Sequence, residues 1–280
     1  MTKIEWTEKT WNPVTGCTKV SPGCDHCYAE GIARRFAGSK AFPNGFDVTL
    51  HPDRLGAPLT WRKPNRVFVN SMSDLFHQDV PDEYIAAVWC SMYWTSPAVR
   101  TLKPVQTFQI LTKRHARMRS WVRGWGDREQ RVAWVEAAAE RGWCDDEDRR
   151  GAPFMPAVLR NVWLGVSAED QKRADLRIPA LLETPAAVRF VSAEPLLGVL
   201  QASYPSWVGL DWVIVGGESG PGARPMRLQW AKTLVAGCQE LDIAVFVKQL
   251  GSAHGPHKGG DMATWPAELQ VREYPTAVAA

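Results

Sequence analysis

The sequence has no apolar run approaching the roughly 20 residues of a membrane-spanning helix, so no membrane partner is expected. Its first residues, Met1-Thr2-Lys3-Ile4-Glu5-Trp6-Thr7-Glu8, lack the basic-then-apolar form of a secretory leader, which predicts a cytoplasmic protein. There is no internal repeat and no clear linker, and the reading is one domain over residues 1–280. No charge of either sign dominates: charged residues make up 22% and the net charge is +3, compatible with a nucleic-acid partner but no argument for one. Cysteine is scarce, six in 280 residues, and Cys90, Cys144 and Cys238 are scattered. In a reducing compartment these have no expected disulfide role, and Cys90 and Cys238 lie in helix-like apolar segments as core thiols.

The other three cysteines are packed together. Gly16-Cys17-Thr18-Lys19-Val20-Ser21-Pro22-Gly23-Cys24-Asp25-His26-Cys27-Tyr28 places three thiols in a loop of Gly, Pro, Ser and Thr, just before a helix-like run from Tyr28 to Phe36. Thiolates this dense repel one another unless a disulfide, protonation or a metal gathers them. Structural zinc takes four closed ligands, whereas three cysteines on a four-iron cluster leave one iron free to bind something else. His26 is a spare ligand by type, but adjacent positions rarely wrap one tetrahedron. His51, His77, His254 and His257 have no ligand-like spacing to the cysteines and read as surface residues.

From residue 66 short apolar strands alternate with helices. The strands are Arg66–Asn70, Thr107–Leu111, Asn161–Val166, Val188–Val191, Asp211–Val215 and Ala244–Val247; the first helix runs from Pro81 to about Ser96, and Pro179 makes the third irregular. With one strand before the cysteine loop this makes about seven β/α units. Continuous apolar strands imply a parallel sheet covered on both faces, so the predicted fold is an α/β parallel (β/α) barrel, complete or partial, with the cysteine loop at the C-terminal face of the strands. A doubly wound sheet is the alternative, but its usual Gly-rich phosphate turn after the first strand is missing. Residues 38–65 read as a surface excursion, 123–158 as an insertion with a helical part (127–141) and a solvated acidic loop Cys144-Asp145-Asp146-Glu147-Asp148, and 252–280 as an irregular tail.

The strands end in polar groups that would share one face: Asn70, Ser71 and Asp74; Lys113; Ser167 and Glu169; Ser192 and Glu194; Gly216, Gly217 and Glu218; and Lys248. Any one of them is expected simply because strands exit toward solvent. Six such ends coinciding with a thiol loop point to a site. Gly216-Gly217 would let backbone approach a ligand, Pro195 would hold Glu194 extended, and Lys113 and Lys248 suit anion binding or proton transfer.

The three-cysteine loop leading from a first strand into a helix resembles the radical S-adenosylmethionine (SAM) enzymes, in a variant spacing: six residues separate Cys17 from Cys24, and the closing C-x-x-C is Cys24 to Cys27. A closer resemblance, to a phage-associated three-cysteine family of unknown function, covers nearly the whole chain. It rests on Trp11-Asn12-Pro13, the cysteine run with Tyr28-Ala29, Asn70 to Phe76, Leu111 to Arg114, Asn161 to Ser167, Phe190 to Gly198, Gly216 to Gly220 and Phe246 to Gln249. The resemblance implies that Cys17, Cys24 and Cys27 hold a [4Fe–4S] cluster whose fourth iron binds SAM, and that one electron from an external donor cleaves the sulfonium to a 5′-deoxyadenosyl radical. It places Tyr28, Asn70, Ser71, Asp74, Ser167, Glu169, Ser192, Gly216 and Gly217 around the cofactor, with Glu194, Glu218, Lys113 and Lys248 as catalytic candidates. The substrate is open. A nucleic-acid base or nucleotide is the expectation carried by the basic stretch Lys113–Arg119 and by 14 tryptophans, with a partner protein as a further expected partner.

Two other classes compete. One is a zinc-stabilised nucleic-acid or protein binding module, with a distant fourth ligand. The other is a hydrolase using Glu194 and Glu218 as acid and base, the cysteine loop being only structural.

Overall fold

The computed structural model describes residues 4–99, 105–203 and 205–276. Seven strands among them form one all-parallel sheet: β1 (Lys9–Trp11), β4 (Asn65–Val69), β5 (Gln106–Thr112), β6 (Val162–Ser167), β7 (Val188–Ala193), β8 (Trp212–Gly216) and β9 (Ala244–Gln249), in that spatial order. Two-residue strands β2 (Val14–Thr15) and β3 (Thr49–Leu50) pair antiparallel beside it. Because neighbours in space follow each other in sequence, every crossover turns the same way. The sheet curls into a half-barrel flanked by helices.

Period-two alternation assigns each strand residue to a face. Val213 and Val215 of β8, with Val245 and Val247 of β9, join the large core shared with the helices: α2 (Asp82–Tyr93), α3 (His115–Gly126), α4 (Arg128–Glu140), α5 (Asp146–Gly151), α6 (Gln171–Leu182) and α7 (Leu228–Glu240), which follow α1 (Tyr28–Arg35) in the chain. On the other face Phe68, Trp163, Phe190, Trp212, Ile214 and Phe246 form a second core closed by Trp6. Trp212 is its centre, with ring centroids 5.6 Å from Phe190, 6.0 Å from Trp163 and 6.1 Å from Trp6. Gly165 lies beneath this layer: a Cβ there would stand 2.5 Å from the Phe190 ring, so the ring occupies the space a side chain would need.

The same face continues toward the strands' C-terminal ends with Lys113, Ser167, Ser192, Glu194, Gly216 and Lys248. The inner face is therefore an aromatic floor under a polar rim. The chain's last described segment completes the floor. Val247 N donates to Val271 O (2.9 Å) and Glu273 N to Val245 O (2.8 Å), laying residues 271–273 antiparallel along the outer edge of β9. Tyr274 packs on Trp212 at 5.5 Å, with the Arg66 guanidinium 3.8 Å from its ring centroid.

Three regions differ from what the sequence suggested. The acidic stretch 144–148 is not a solvated loop: Asp145 caps α5 and forms a capping box with Asp148, which is buried and accepts from Trp94 Nε1 at 2.6 Å. α6 runs through Pro179 without a break. α2 ends at Tyr93 rather than near Ser96. The tail beyond 252 contains short turns, and 277–280 lie outside the described residues, as do Met1–Lys3 of the N-terminal segment. No helix among the described residues is long and apolar enough to cross a membrane.

Candidate functional site

The cysteine loop lies across the C-terminal ends of the sheet, and the strand ends hold it down. Gly16 enters it at φ +84° and donates to Met72 O (3.0 Å); a Cβ there would lie 2.2 Å from Asp47 O, so the close approach requires glycine. Cys17 N donates to Phe46 O (3.1 Å), so the excursion 38–65 supports the start of the loop.

Next, Thr18 is gripped from β4 and β5. His77 Nε2 stands 2.8 Å from Thr18 Oγ1, and Arg114 Nη2 donates to the same oxygen at 2.8 Å. Asp79 N donates to His77 Nδ1 (3.2 Å), which leaves the ring hydrogen on Nε2, pointing at Thr18. Burial, with the Arg114 charge behind it, holds the His77 pKa down and keeps the ring neutral.

From β6 comes Glu169, fully buried, which accepts from Gly23 N (3.2 Å) and Arg177 Nη1 (2.9 Å). Burial alone would raise its carboxyl; the Ser21 hydroxyl and the Arg177 guanidinium outweigh that and hold it below its ordinary value. From β8 comes Glu218, which pairs with Arg224 (Nη2 to Oε1, 2.5 Å) and with His26 Nδ1 (2.9 Å). Arg224 also donates to Pro22 O (2.9 Å). Finally the Tyr28 hydroxyl donates to Ser71 O (2.6 Å). Four of the seven strand ends thus reach the cysteine loop and the tyrosine that closes it.

Glu218 is held below its ordinary carboxyl value although burial pushes it up, because hydrogen bonds from Arg224, the Arg224 charge and His26 more than offset burial. A folded pKa below the unfolded one, near 4.5, means this fastening contributes fully above that value and is lost as pH falls through the lowered one. The gap in melting temperature between the native chain and Glu218→Gln is therefore expected to close as pH drops from about 6 to about 3. A gap that stays constant across this range would rule the charge of Glu218 out as the source.

Beneath the loop the inner rim carries two polar pairs. Lys113 Nζ donates to Ser167 Oγ (3.3 Å), and Lys248 Nζ to Glu194 Oε1 (2.5 Å). The latter pair joins β7 to β9 over Gly216, where a Cβ would stand 3.3 Å from the Glu194 side chain. The Glu194–Pro195 bond is cis. Ser192 is buried on the same face. Asn70, at φ 58°, accepts from Val14 N through Oδ1 (3.3 Å), while its buried Nδ2 has no partner among the described residues.

Other sequence candidates are engaged in holding the fold. The Asp74 carboxylate receives Thr112 Oγ1 (2.7 Å), Lys113 N (3.1 Å) and Phe76 N (3.0 Å). Ser71 Oγ donates to Asn12 Oδ1 (3.2 Å). At Gly217 a Cβ would lie 2.1 Å from Leu250 O, so its smallness serves packing of the chain on itself.

The family model described as a protein of unknown function (DUF5131) matches residues 1–273. The chain belongs to that family. No curated protein and no solved structure matches it.

Cys17, Cys24 and Cys27 of this DUF5131 chain are half-buried and free. Burial, and then the Asp74 carboxylate, push the Cys17 thiol up to about 12. The three sulfurs are not all within 4.8 Å of one another; among the described residues that condition is met by a different set, Cys90, Cys144 and Asp148, which could hold a metal ion. Two of the cysteines read as scattered are thus brought together. The thiol–thiol hydrogen bond to Cys144, with burial, raises the Cys90 pKa well above its ordinary value. Sequence reasoning also misplaced two histidines. His77 is buried under Thr18, and His51 is buried against Thr15 (Nε2 to Oγ1, 2.8 Å). Neither has a local signal, since its partner is 59 and 36 residues away.

Proposed function

We propose that this protein is a radical SAM-type enzyme on a partial (β/α) barrel, with Cys17, Cys24 and Cys27 holding a [4Fe–4S] cluster and SAM bound beside it over the polar rim. One observation carries the reading: a loop with three free thiols is fastened by four strand ends above a polar rim, on the face where β/α barrels build their active sites. When bound, the cluster and SAM supply a one-electron cleavage of the sulfonium, with the electron from an external donor. A reducing compartment, the cytoplasm, suits such a thiol set.

The donor set fits the group. A single tetrahedral zinc would draw its thiolates to about 3.8 Å from one another. Three thiols with no fourth thiol in the loop match a cluster that keeps one iron open, rather than the four closed ligands of structural zinc.

The chain's own residues have separable roles. Asn70 Nδ2 offers a buried donor to a bound ligand. Lys113 and Lys248 supply positive charge under the loop, and the Glu194–Lys248 pair can hold or move a proton between Oε1 and Nζ. The Trp212 layer closes the polar rim to water from below. Glu218 keeps its charge for Arg224 and His26, which unsuits it as a general acid and weakens the hydrolase reading.

Both sequence features behind a nucleic-acid substrate are engaged with the chain's own residues in this structure. Lys113, Arg114, Arg117 and Arg119 are engaged by Ser167, Thr18, Asp82 and Glu183, and none of the 14 tryptophans is exposed.

Anaerobic purification with iron and sulfide analysis, followed by spin-resonance spectra of the reduced protein with and without SAM, tests the proposal. About four irons per chain and a signal that changes on adding SAM are expected, both lost in Cys24→Ala. Zinc in place of iron, persisting after reconstitution, would sink it.

A further inference from the structure

Away from the cysteine loop, two thiols and a carboxylate converge where α2 meets the insertion. Cys90 Sγ, Cys144 Sγ and one Asp148 oxygen lie within 4.8 Å of one another. Cys90 projects from α2 and is 1% exposed, while Cys144 and Asp148 come from the approach to α5 and its first turn.

The carboxylate is aimed. Trp94 Nε1 donates to Oδ1 at 2.6 Å and Asp145 N to Oδ2 at 2.9 Å, and each oxygen keeps a lone pair. Outer hydrogen bonds of this kind orient the ligands of metal sites. The neighbouring Arg149 does not neutralise the group, since it pairs with Glu136 (2.7 Å) and Asp146 (3.5 Å). Three acidic donors therefore face one point without a cation from that side chain.

We propose that Cys90, Cys144 and Asp148 bind a zinc-class divalent cation that clips the insertion 123–158 to α2. Two soft sulfurs and one hard oxygen match the borderline character of zinc, and a water completes the fourth position. On binding, the two thiols lose their protons to solvent and three negative donors meet a doubly positive ion. A tetrahedral site needs donor separations of about 3.5–4 Å, so the three close by a small movement. A Cys90–Cys144 disulfide would use the two sulfurs but not the carboxylate aimed beside them. The proposal is independent of what the loop at 17–27 binds.

The test is cobalt(II) titration of the full chain carrying serine at positions 17, 24 and 27. One cobalt per chain with a thiolate charge-transfer band is expected, lost in Cys144→Ser and at least tenfold weaker in Asp148→Asn. Cys144 is only half-buried, so its serine variant leaves the core intact, unlike one at Cys90. No band, or a band unchanged by Cys144→Ser, overturns the proposal, as does a Cys90–Cys144 disulfide in protein prepared with reductant and zinc. If the triple variant does not fold, metal analysis of the native chain decides: one zinc that Cys144→Ser loses, with iron content unchanged, supports the site, and unchanged zinc refutes it.

Discussion

Alanine at Glu169 is expected to destabilise the protein by about 3–5 kcal/mol, the cost of stranding one partner of a buried ion pair. Glu169 is fully buried and Arg177 nearly so, and among the described residues Arg177 keeps only the Ser167 carbonyl (2.8 Å) once the carboxylate is gone. A second loss falls on the loop, where Gly23 N gives up its acceptor directly before Cys24. In melting experiments the change corresponds to a drop of roughly 6–20 °C for a chain of this size. It should be accompanied by faster alkylation of Cys24. Glu169→Gln retains an oxygen for Gly23 and should protect Cys24 better than alanine does, while still losing most of the stability. A drop under about 2 °C in Glu169→Ala would show that the ion pair is not what holds β6 to the loop.

Gly217→Ala is expected to be the most damaging single methyl group just past the end of β8. The added carbon would lie 2.1 Å from Leu250 O and 2.8 Å from Gly251 Cα. Both are backbone, so no side-chain rotation relieves the overlap, and a loss above about 3 kcal/mol follows. The ends of β8 and β9 must separate to admit it, which breaks the paired bonds Gly217 N to Gln249 O (3.0 Å) and Gln249 Nε2 to Gly217 O (3.1 Å). Gly31→Ala is the matched control. It lies in α1 with nothing within 4 Å of the new carbon, and should gain about 0.5–1 kcal/mol from helix propensity. Urea unfolding of both variants, side by side, separates overlap from a general effect of replacing glycine. Equal midpoints would mean that the 217–250 approach relaxes freely.

The strands were legible because each is a short apolar run that ends in a polar residue, and β6, β7, β8 and β9 stand where those runs are. Even the floor had a trace in the sequence. Trp163, Phe190 and Trp212 precede Ser167, Glu194 and Gly216 by four residues, the spacing that puts both on one face of a strand. What the sequence could not reveal is which strand ends hold the loop. Glu169 meets Gly23 across 146 residues and Glu218 meets His26 across 192, and nothing local distinguishes a carboxylate aimed at a ligand from one aimed at the chain's own backbone. Both were read as facing cofactor or substrate; both also fasten the cysteine loop. The Cys90–Cys144 contact escaped for the same reason, since an insertion folds back on a helix that precedes it by half a hundred residues. The capping box in Asp145-Asp146-Glu147-Asp148 did leave a local mark, because an acid three residues after an N-cap acid is a helix start as much as a charged loop.

A half-barrel, unlike a closed one, has two edges, and an uncovered edge strand is a template for another chain. The edge at β1 is three residues long, too short to recruit much. The edge at β9 is six residues long and apolar on both faces up to Val247, and residues 271–273 already occupy its hydrogen-bonding groups. The tail segment is thus a guard against fibre-like assembly as well as a lid for the aromatic floor. A chain cut before Val271 would bare both at once, and its failure would take the form of self-association rather than simple unfolding.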